Sequence, residues 1–222
     1  MPEVRALPRR MPLLAALTAG AVAALAGCGG TTTSSTTTNG LRGFTSDPVQ
    51  RVGGVRLPDV SPKGDGTPMA FRAPAGGLLL AYFGYTSCPD VCPTTLADVR
   101  QALEKLPADQ RRRVSVAMVT VDPRRDTAAQ LNGYLRHFFP RWHALRTTDP
   151  VALRRAERPF GAAHRIGPTK NDGTYDVEHS AVLYAVDDRG VVRVNWAFGT
   201  PSADIASDLR LLLSGRAAGA AA

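Results

Sequence analysis

The stretch 84-GYTSCPDVCPTTL-96 decides the fold of this chain. It follows the apolar run 78–83, which is short and ends in an aromatic residue, a pattern that favours a buried strand. It leads into residues 93–106, whose apolar positions recur with helical spacing. The sequence therefore predicts that Cys88 and Cys92 lie where a strand turns into a helix.

The neighbours of the two cysteines point to chemistry rather than to packing alone. Pro93 suits the first turn of a helix, where a missing N–H costs nothing, so Cys92 is expected at or just before the helix N-terminus. The partial positive charge of that end favours thiolate over thiol. Two sulfurs one helical turn apart can close on each other or bind a soft metal. A buried apolar pair or a structural disulfide is the alternative, which the flanking prolines and the intervening acid disfavour.

Residues 1–27 have the pattern of a bacterial lipoprotein signal peptide. A basic segment, 1–10, precedes an apolar segment, 11–26, which is shorter than a comfortable membrane span and ends in small residues. The motif 25-LAGC-28 resembles a lipobox, which implies that Cys28 becomes the lipidated first residue of the mature chain. The alternative is an uncleaved anchor with an incidental cysteine, and it leaves the protein on the same face of the membrane.

The rest of the chain is predicted to hold one domain between a tether and a short tail. Residues 28–48 are expected to form a flexible tether, because 29–40 consist almost entirely of Thr, Ser and Gly. Residues 49–215 are expected to form a single globular domain, and the alanine-rich residues 216–222 are expected to be disordered.

The number of cysteines bears on the compartment and on the chemistry. With Cys28 assigned to the lipid, Cys88 and Cys92 remain as one thiol pair. In an extracytoplasmic compartment such a pair must be kept reduced or metallated, or else it oxidises. The predicted location is therefore extracytoplasmic, with a lipid anchor in the bacterial cell membrane.

The net charge of the chain indicates which kinds of molecule it is expected to bind. The predicted leader carries three arginines and one glutamate, so its removal lowers the formal charge from +8 to +6. The arginines have no aromatic residues interleaved among them, so nucleic acid is not an expected partner. A mildly basic face favours an anionic membrane surface or an acidic partner.

The order of the predicted elements indicates an α/β protein with a thioredoxin-like fold. Strands are predicted at residues 54–60, 69–72, 78–83, 114–121, 142–145, 181–187 and 191–197. Helices are predicted at residues 93–106, 128–138, 150–160 and 201–213. Strands joined by crossover helices, then a hairpin and a last helix, match that fold. Two additions are expected: an N-terminal β-hairpin extension, and elements inserted between the second crossover helix and the last hairpin.

A third chemical group is needed to choose between redox and metal chemistry. His179 lies in 175-YDVEHS-180, a predicted polar turn before the last hairpin, and in this fold that loop passes beside the dithiol. Two thiolates and one imidazole suit Cu(I) through sulfur and Cu(II) with the added nitrogen. By itself, a histidine before a strand is more often a hydrogen-bonding residue than a ligand. His137, His143 and His164 are expected to be surface or packing residues.

Three segments together closely resemble the signature segments of the Sco (SenC/PrrC) family. They are 84-GYTSCPDVCPTTL-96, 119-VTVDPRRDT-127 and 175-YDVEHS-180, and the resemblance covers about residues 78–213. It implies a thioredoxin-fold, membrane-anchored copper protein. It also implies a role in assembling the dinuclear copper centre of cytochrome c oxidase, with the copper-bearing subunit of that enzyme as a partner.

The same resemblance implies roles for particular residues. It makes Cys88, Cys92 and His179 the copper ligands. Asp122 matches the acid at the end of the strand after the dithiol helix, where it would orient a ligand or tune the protonation of the site. A helix cap or a turn at Asp-Pro explains Asp122 about as well. Glu178 stands where the family often has Asp, which preserves the charge.

The predicted function is that of a copper metallochaperone for cytochrome c oxidase, and not of a classical enzyme. Other copper chaperones or thiol reductants are further expected partners. The alternative is a thiol–disulfide oxidoreductase that uses Cys88 and Cys92 as a redox-active pair. It would reduce cysteines of an oxidase subunit or of another extracytoplasmic protein, and such an enzyme has no use for His179.

Overall fold

The computed structural model describes residues 40–215, and within them the chain forms nine strands and five α-helices. The strands are β1 (Arg56–Pro58), β2 (Pro68–Ala70), β3 (Leu78–Gly84), β4 (Val114–Thr120), β5 (His143–Leu145), β6 (His164–Ile166), β7 (Val177–His179), β8 (Val182–Val186) and β9 (Val192–Ala197). The helices are α1 (Val91–Glu104), α2 (Ala108–Arg111), α3 (Ala128–Leu135), α4 (Pro150–Glu157) and α5 (Ser202–Leu213). A 3-10 turn, Arg158–Phe160, follows α4 directly.

Several predictions concern residues outside this described part of the chain. They are the signal peptide at 1–27, the lipidation site at Cys28, most of the tether and the tail at 216–222. Within residues 40–215, none of the helices combines the length and the apolarity that a membrane crossing requires.

A five-stranded mixed sheet in the order β5-β4-β3-β8-β9 forms the centre of the fold. Strands β3, β4 and β5 are parallel, whereas β8 runs antiparallel to β3 and β9 runs antiparallel to β8. All seven residues of β3 are buried, because the strand is central and both faces of the sheet are covered. This explains why its sequence is a continuous apolar run instead of an alternating one.

The N-terminal β-hairpin extension predicted from the sequence is present, since β1 and β2 pair antiparallel. The domain begins earlier than the predicted boundary at residue 49. Leu41 is buried, and the backbone amides of Arg42 and Gly43 donate hydrogen bonds to the fully buried carboxylate of Asp208. Residues 41–43, which the composition assigned to a flexible tether, are therefore tied to α5.

The inserted elements predicted before the last hairpin take the form of a two-stranded ribbon. Strand β6 pairs antiparallel with β7, and His164 lies directly opposite His179. The sequence predicted a turn at His179 and no strand at His164, and it did not predict the four-residue helix α2. Strands of three residues are too short to show a period of two, so no pattern marks them.

An aromatic cluster holds the start of this ribbon against the central sheet. The ring of Phe160, in the 3-10 turn just before β6, lies 5.2 Å from Phe83, 5.0 Å from Phe71 and 5.0 Å from Tyr184, all edge to face. Such contacts between fully buried rings fix the position of a turn closely. The ribbon is thereby anchored beside β3, the strand that leads into the cysteines.

Candidate metal centre

The fold brings Cys88, Cys92 and His179 together. Cys88 lies in the turn after β3, Cys92 lies in the first turn of α1, and His179 ends β7. Their two sulfur atoms and one ring nitrogen all lie within 4.8 Å of one another. The Sγ of Cys92 is 3.4 Å from Nε2 of His179, across 87 residues of sequence. Within residues 40–215 this is the one cluster of Cys, His and acidic groups with spacing that suits a metal ion.

The ring of His179 is oriented for coordination. Its Nδ1 lies 3.2 Å from the carbonyl oxygen of Ser180, which can only accept a hydrogen bond, so Nδ1 carries the proton. Nε2 then presents a lone pair towards Cys92. Burial lowers the pKa of His179, although the carbonyl groups of Ser180 and Phe83 oppose the shift. A neutral imidazole with one nitrogen held by a carbonyl is the usual form of a metal-binding histidine.

The helix start does not activate Cys92 in the way that the sequence predicted. Cys92 is the second residue of α1 and not the residue before it, and its side chain is fully buried. Burial raises the pKa of Cys92 to about 12, so desolvation outweighs the favourable end of the helix. In the metal-free site this sulfur is therefore a neutral thiol at neutral pH. A cation that enters the pocket would favour the thiolate and displace the proton.

Hydrogen bonds position both sulfur atoms. The backbone N–H of Cys92 donates to Sγ of Cys88 at 3.3 Å. The hydroxyl of Tyr82, on β3, donates to Sγ of Cys92 at 3.7 Å. Tyr82 is fully buried, and sequence reasoning assigned it only to the core. The sequence did contain one indication of this bond. Tyr82 is the single tyrosine within an apolar run, and a buried hydroxyl needs a hydrogen-bond partner.

The absence of a side chain at Gly84 leaves room for the sulfur of Cys92. A Cβ atom on residue 84 would lie 2.9 Å from that sulfur and 2.7 Å from the ring of Tyr82. Both distances are shorter than normal contacts, and both neighbours are fully buried. A glycine is required here by the close approach of α1 to the end of β3.

Asp126 holds the turn that contains Cys88, and the sequence analysis gave it no role. Its fully buried carboxylate accepts hydrogen bonds from the amide of Thr86 at 3.0 Å and from the hydroxyl of Thr86 at 2.6 Å. It also accepts one from the hydroxyl of Thr120 at 2.6 Å. The carboxylate therefore ties the dithiol turn to the end of β4. Its place in the segment 119–127, which resembles a family signature, was the signal available in the sequence.

Another acid of that segment, Asp122, is also fully buried, and it makes no contact with the sulfur atoms of Cys88 and Cys92 within the described residues. Within the described residues its carboxylate bonds to the hydroxyl of Tyr175 at 2.8 Å and to the guanidinium of Arg125, and to none of the three candidate ligands. Arg125 lies over the rings of Tyr175 and Tyr85, at 4.1 and 5.6 Å. The ring of Tyr85 in turn contacts His179 edge to face at 5.6 Å. Helix α3 is capped by Thr127 and not by Asp122. The backbone carbonyl of Asp122 accepts hydrogen bonds from the amides of Arg125 and Asp126, which agrees with the predicted turn at Asp-Pro.

The other three histidines lie outside this cluster. Nδ1 of His143 lies 2.7 Å from the carboxylate of Asp59, and Nδ1 of His164 lies 2.6 Å from that of Glu157. His137 is exposed. None of the three belongs to the described metal-binding cluster.

The chain is similar to proteins of one known family. Residues 62–214 match the SCO1/SenC family. A protein of Stutzerimonas stutzeri described as copper-binding is 34% identical over 126 residues, which are 57% of this chain and 61% of that protein. The mitochondrial SCO2 homolog of Mus musculus is 36% identical over 118 residues, 52% of this chain and 46% of that protein. The chain thus spans about half to three fifths of the length of these relatives.

Solved structures give the same result for the fold. The solution structure of apo Sco1 from Thermus thermophilus has a TM-score of 0.66 and 30% identity, and the match covers 78% of this chain and 96% of that one. The structure of Bradyrhizobium japonicum ScoI with copper bound has a TM-score of 0.59 and 29% identity, over 70% and 95% of the two chains. The predicted α/β, thioredoxin-like fold is confirmed, and so is the predicted family. The chain belongs to the SCO1/SenC family.

Proposed function

We propose that this protein is a copper chaperone that binds copper through Cys88, Cys92 and His179. The convergence of these three ligand atoms within 4.8 Å carries the proposal. Two sulfur ligands suit Cu(I), and one neutral imidazole nitrogen extends the set to Cu(II). Copper is bound in the related structure of Bradyrhizobium japonicum ScoI, which supports the choice of metal. The recipient that we propose is the dinuclear copper centre of cytochrome c oxidase.

The burial of the three ligands suggests how copper is held and released. Cys92 is fully buried, whereas Cys88 retains 9% exposure and His179 is half-buried. Copper, as the cargo, displaces the protons of the two thiols when it is bound. A partner reaches the more exposed ligands first, so Cys88 and His179 are exchanged before Cys92. A soft, partly open site of this kind suits transfer better than permanent storage.

We further propose that the domain works outside the cytoplasm, anchored by lipid on Cys28 to the bacterial cell membrane. The lipobox-like motif 25-LAGC-28 and the Thr/Ser/Gly-rich segment after it support this location. An anchored domain on a tether searches the membrane surface for membrane-bound partners. These partners are the copper-bearing subunit of the oxidase, together with other copper chaperones or thiol reductants that prepare the site.

An anaerobic copper titration of the reduced protein tests the proposed ligands. The wild type should bind one copper per chain and show thiolate-to-Cu(II) charge-transfer absorption. His179→Ala should bind Cu(II) at least about tenfold more weakly and show a weakened and shifted absorption band, because one of three ligands is gone while both thiolates remain. His137→Ala is the matched control, since His137 is exposed and remote from the cluster, and it should behave as the wild type. Equal copper affinity in all three proteins would count against the proposal.

The second candidate function is thiol–disulfide exchange with an extracytoplasmic protein. The presence of two neighbouring free thiols supports this alternative. Cys88 and Cys92 are both free thiols, and the amide of Cys92 donates to the sulfur of Cys88. This bond holds the sulfur of Cys88, the more exposed of the two, in a fixed position beside the start of α1. His179→Ala separates the two functions, because it should leave the rate of disulfide reduction intact while copper binding is lost.

A further inference from the structure

A basic groove lies beside the ribbon that carries His179. It encloses about 540 Å³ between α4, the 3-10 turn and the start of β6. We propose that this groove docks an acidic segment of the protein with which the domain exchanges copper. We call it the α4–β6 groove and define it by Val151, Arg154, Arg155, Glu157, Arg158 and His164. The inference rests on the proposed function and adds the surface and the chemistry of partner recognition.

Three guanidinium groups give the α4–β6 groove its charge. Arg154, Arg155 and Arg158 are all exposed, and within residues 40–215 none of their guanidinium groups is engaged in an ion pair or a hydrogen bond. Glu157, the one acid among the lining residues, is buried, and it is already bonded to the ring of His164 at 2.6 Å. Among the described residues, the lining of the groove therefore presents unpaired arginines and no unpaired carboxylate. Arginines of this kind bind carboxylates in a bidentate manner and attract acidic surfaces.

The shape of the groove favours a polypeptide over a lipid surface. A bilayer is flat and is best met by a convex basic face, whereas this feature is concave and large enough for several side chains. Val151, at its edge, is 53% exposed and supplies an apolar contact next to the arginines. Apolar contact bordered by arginine is common in protein interfaces. We therefore assign the groove to an acidic protein segment and treat anionic lipid as the outcome that would overturn the assignment.

The groove lies next to the strand that carries His179. Ala163, which lines it, accepts a hydrogen bond from the amide of Ser180 at 2.9 Å and donates one to the hydroxyl of Ser180 at 3.0 Å. His164, the next lining residue, lies opposite His179 in the β6–β7 register. Side chains opposite each other on paired strands are about 5 Å apart at Cβ. A segment bound in the groove would thus lie one strand away from a copper ligand, where it holds the partner close for ligand exchange.

Binding of a defined probe tests the proposal. The probe is the metal-free, soluble copper domain of the oxidase subunit from the same organism, labelled for fluorescence anisotropy, and it is titrated with the full, metal-free chain. The groove variant is Arg154→Gln/Arg155→Gln. The control variant is Arg111→Gln/Arg112→Gln. It removes the same charge from two exposed arginines that follow each other in the chain and line a different cavity.

We expect the groove variant to bind the probe about tenfold or more weakly than the wild type at low salt, and the difference to shrink at about 1 M salt. The control should stay within about twofold of the wild type, since charges far from a docking site contribute little. Equal binding by the groove variant and the wild type would overturn the proposal. So would an equal loss in the groove and control variants, because that result reports only total charge.

Two further measurements separate this proposal from neighbouring ones. If the groove variant keeps its affinity for the probe but loses binding to phosphatidylglycerol vesicles relative to the control variant, the groove faces lipid and the assignment is wrong. Copper titration of all three proteins reports on the proposed function alone. A wild type that binds no copper would refute the chaperone role, while the anisotropy result, obtained without metal, would still decide whether the groove docks the probe.

Discussion

Tyr82 joins the central sheet to the candidate metal centre through one hydrogen bond. Its ring is fully buried in β3, and its hydroxyl donates to the sulfur of Cys92 at 3.7 Å. A hydrogen bond to sulfur stabilises the thiolate more than the thiol, and so it offsets part of the desolvation that raises the pKa of Cys92. At the scale of single residues, the affinity for copper depends on this donor as well as on the ligands.

Tyr82→Phe should therefore weaken copper binding while the protein remains folded. Hydrogen bonds to charged groups contribute about 1.5–3 kcal/mol, so the Cu(I) affinity should fall by about tenfold or more. The charge-transfer band of the Cu(II) form should move to longer wavelength, because the thiolate loses a donor. Competition with a Cu(I) chelator and an absorption spectrum measure the two effects. Tyr184→Phe, at another buried tyrosine without a bond to sulfur, is the control, and identical spectra for both variants would contradict the role of Tyr82.

At the scale of elements, the turn that carries Cys88 depends on an acid from the next crossover. Asp126 lies between β4 and α3, and it accepts three hydrogen bonds from Thr86 and Thr120. The two oxygens of the buried carboxylate accept all three hydrogen bonds. A side chain with fewer acceptor sites at this position would leave at least one of the three donors without a partner. The turn and the end of β4 therefore behave as one unit.

Asp126→Asn should loosen this unit, because the amide turns a donor towards groups that are themselves donors. One unsatisfied buried contact costs about 1–3 kcal/mol, and the free energy of unfolding should fall by about that amount. Copper should also bind more weakly, since Cys88 is held less firmly. Urea denaturation and chelator competition measure both quantities. Asp109→Asn, at an exposed acid in α2, should leave both nearly unchanged, and a loss of the same size there would refute the argument.

At the scale of the whole molecule, the core holds several acidic groups in their neutral form. Burial raises the pKa of Cys92, Tyr85 and Tyr184 to about 12 from ordinary values of 9.0 for the thiol and 10.0 for the phenols. Burial also raises the pKa of Tyr82 and Tyr134. In the unfolded chain these groups lose their protons at lower pH than in the folded protein. Their contribution to stability is complete below about pH 9 and is lost as the pH rises towards 12.

The metal-free, reduced protein should consequently lose stability steadily above about pH 9. Each buried group that stays protonated contributes up to about 1.4 kcal/mol per pH unit to the slope. Tyr184→Phe removes one such group, so its stability should fall less steeply with pH. Urea denaturation under anaerobic conditions between about pH 7 and 11 measures the slopes. A wild-type stability that does not change over this range, or equal slopes for the two proteins, would contradict the prediction.

The sequence predicted the long elements well and the short ones poorly. Strand β3 and helix α5 were found within a residue or two of their ends, because apolar periodicity over many residues reports burial directly. The ribbon β6–β7 was missed, since its strands have three residues each and are formed through the pairing partner. Residues 41–43 were assigned to the tether because of their neighbours' composition. What holds them is Asp208, which lies far along the chain.

By itself, the sequence determined the family, the α/β fold and the three residues that meet at the candidate site, because short motifs in a given order carry that information locally. Only the tertiary structure decided how that site behaves. It placed Cys92 inside the first turn of α1 and buried it, which reversed the predicted effect on its pKa. It also supplied the hydrogen bonds of Tyr82 and Asp126 and placed exposed arginines beside the ribbon that carries His179. Desolvation and long-range hydrogen bonds depend on neighbours that are distant in the chain, and no local pattern of residues encodes them.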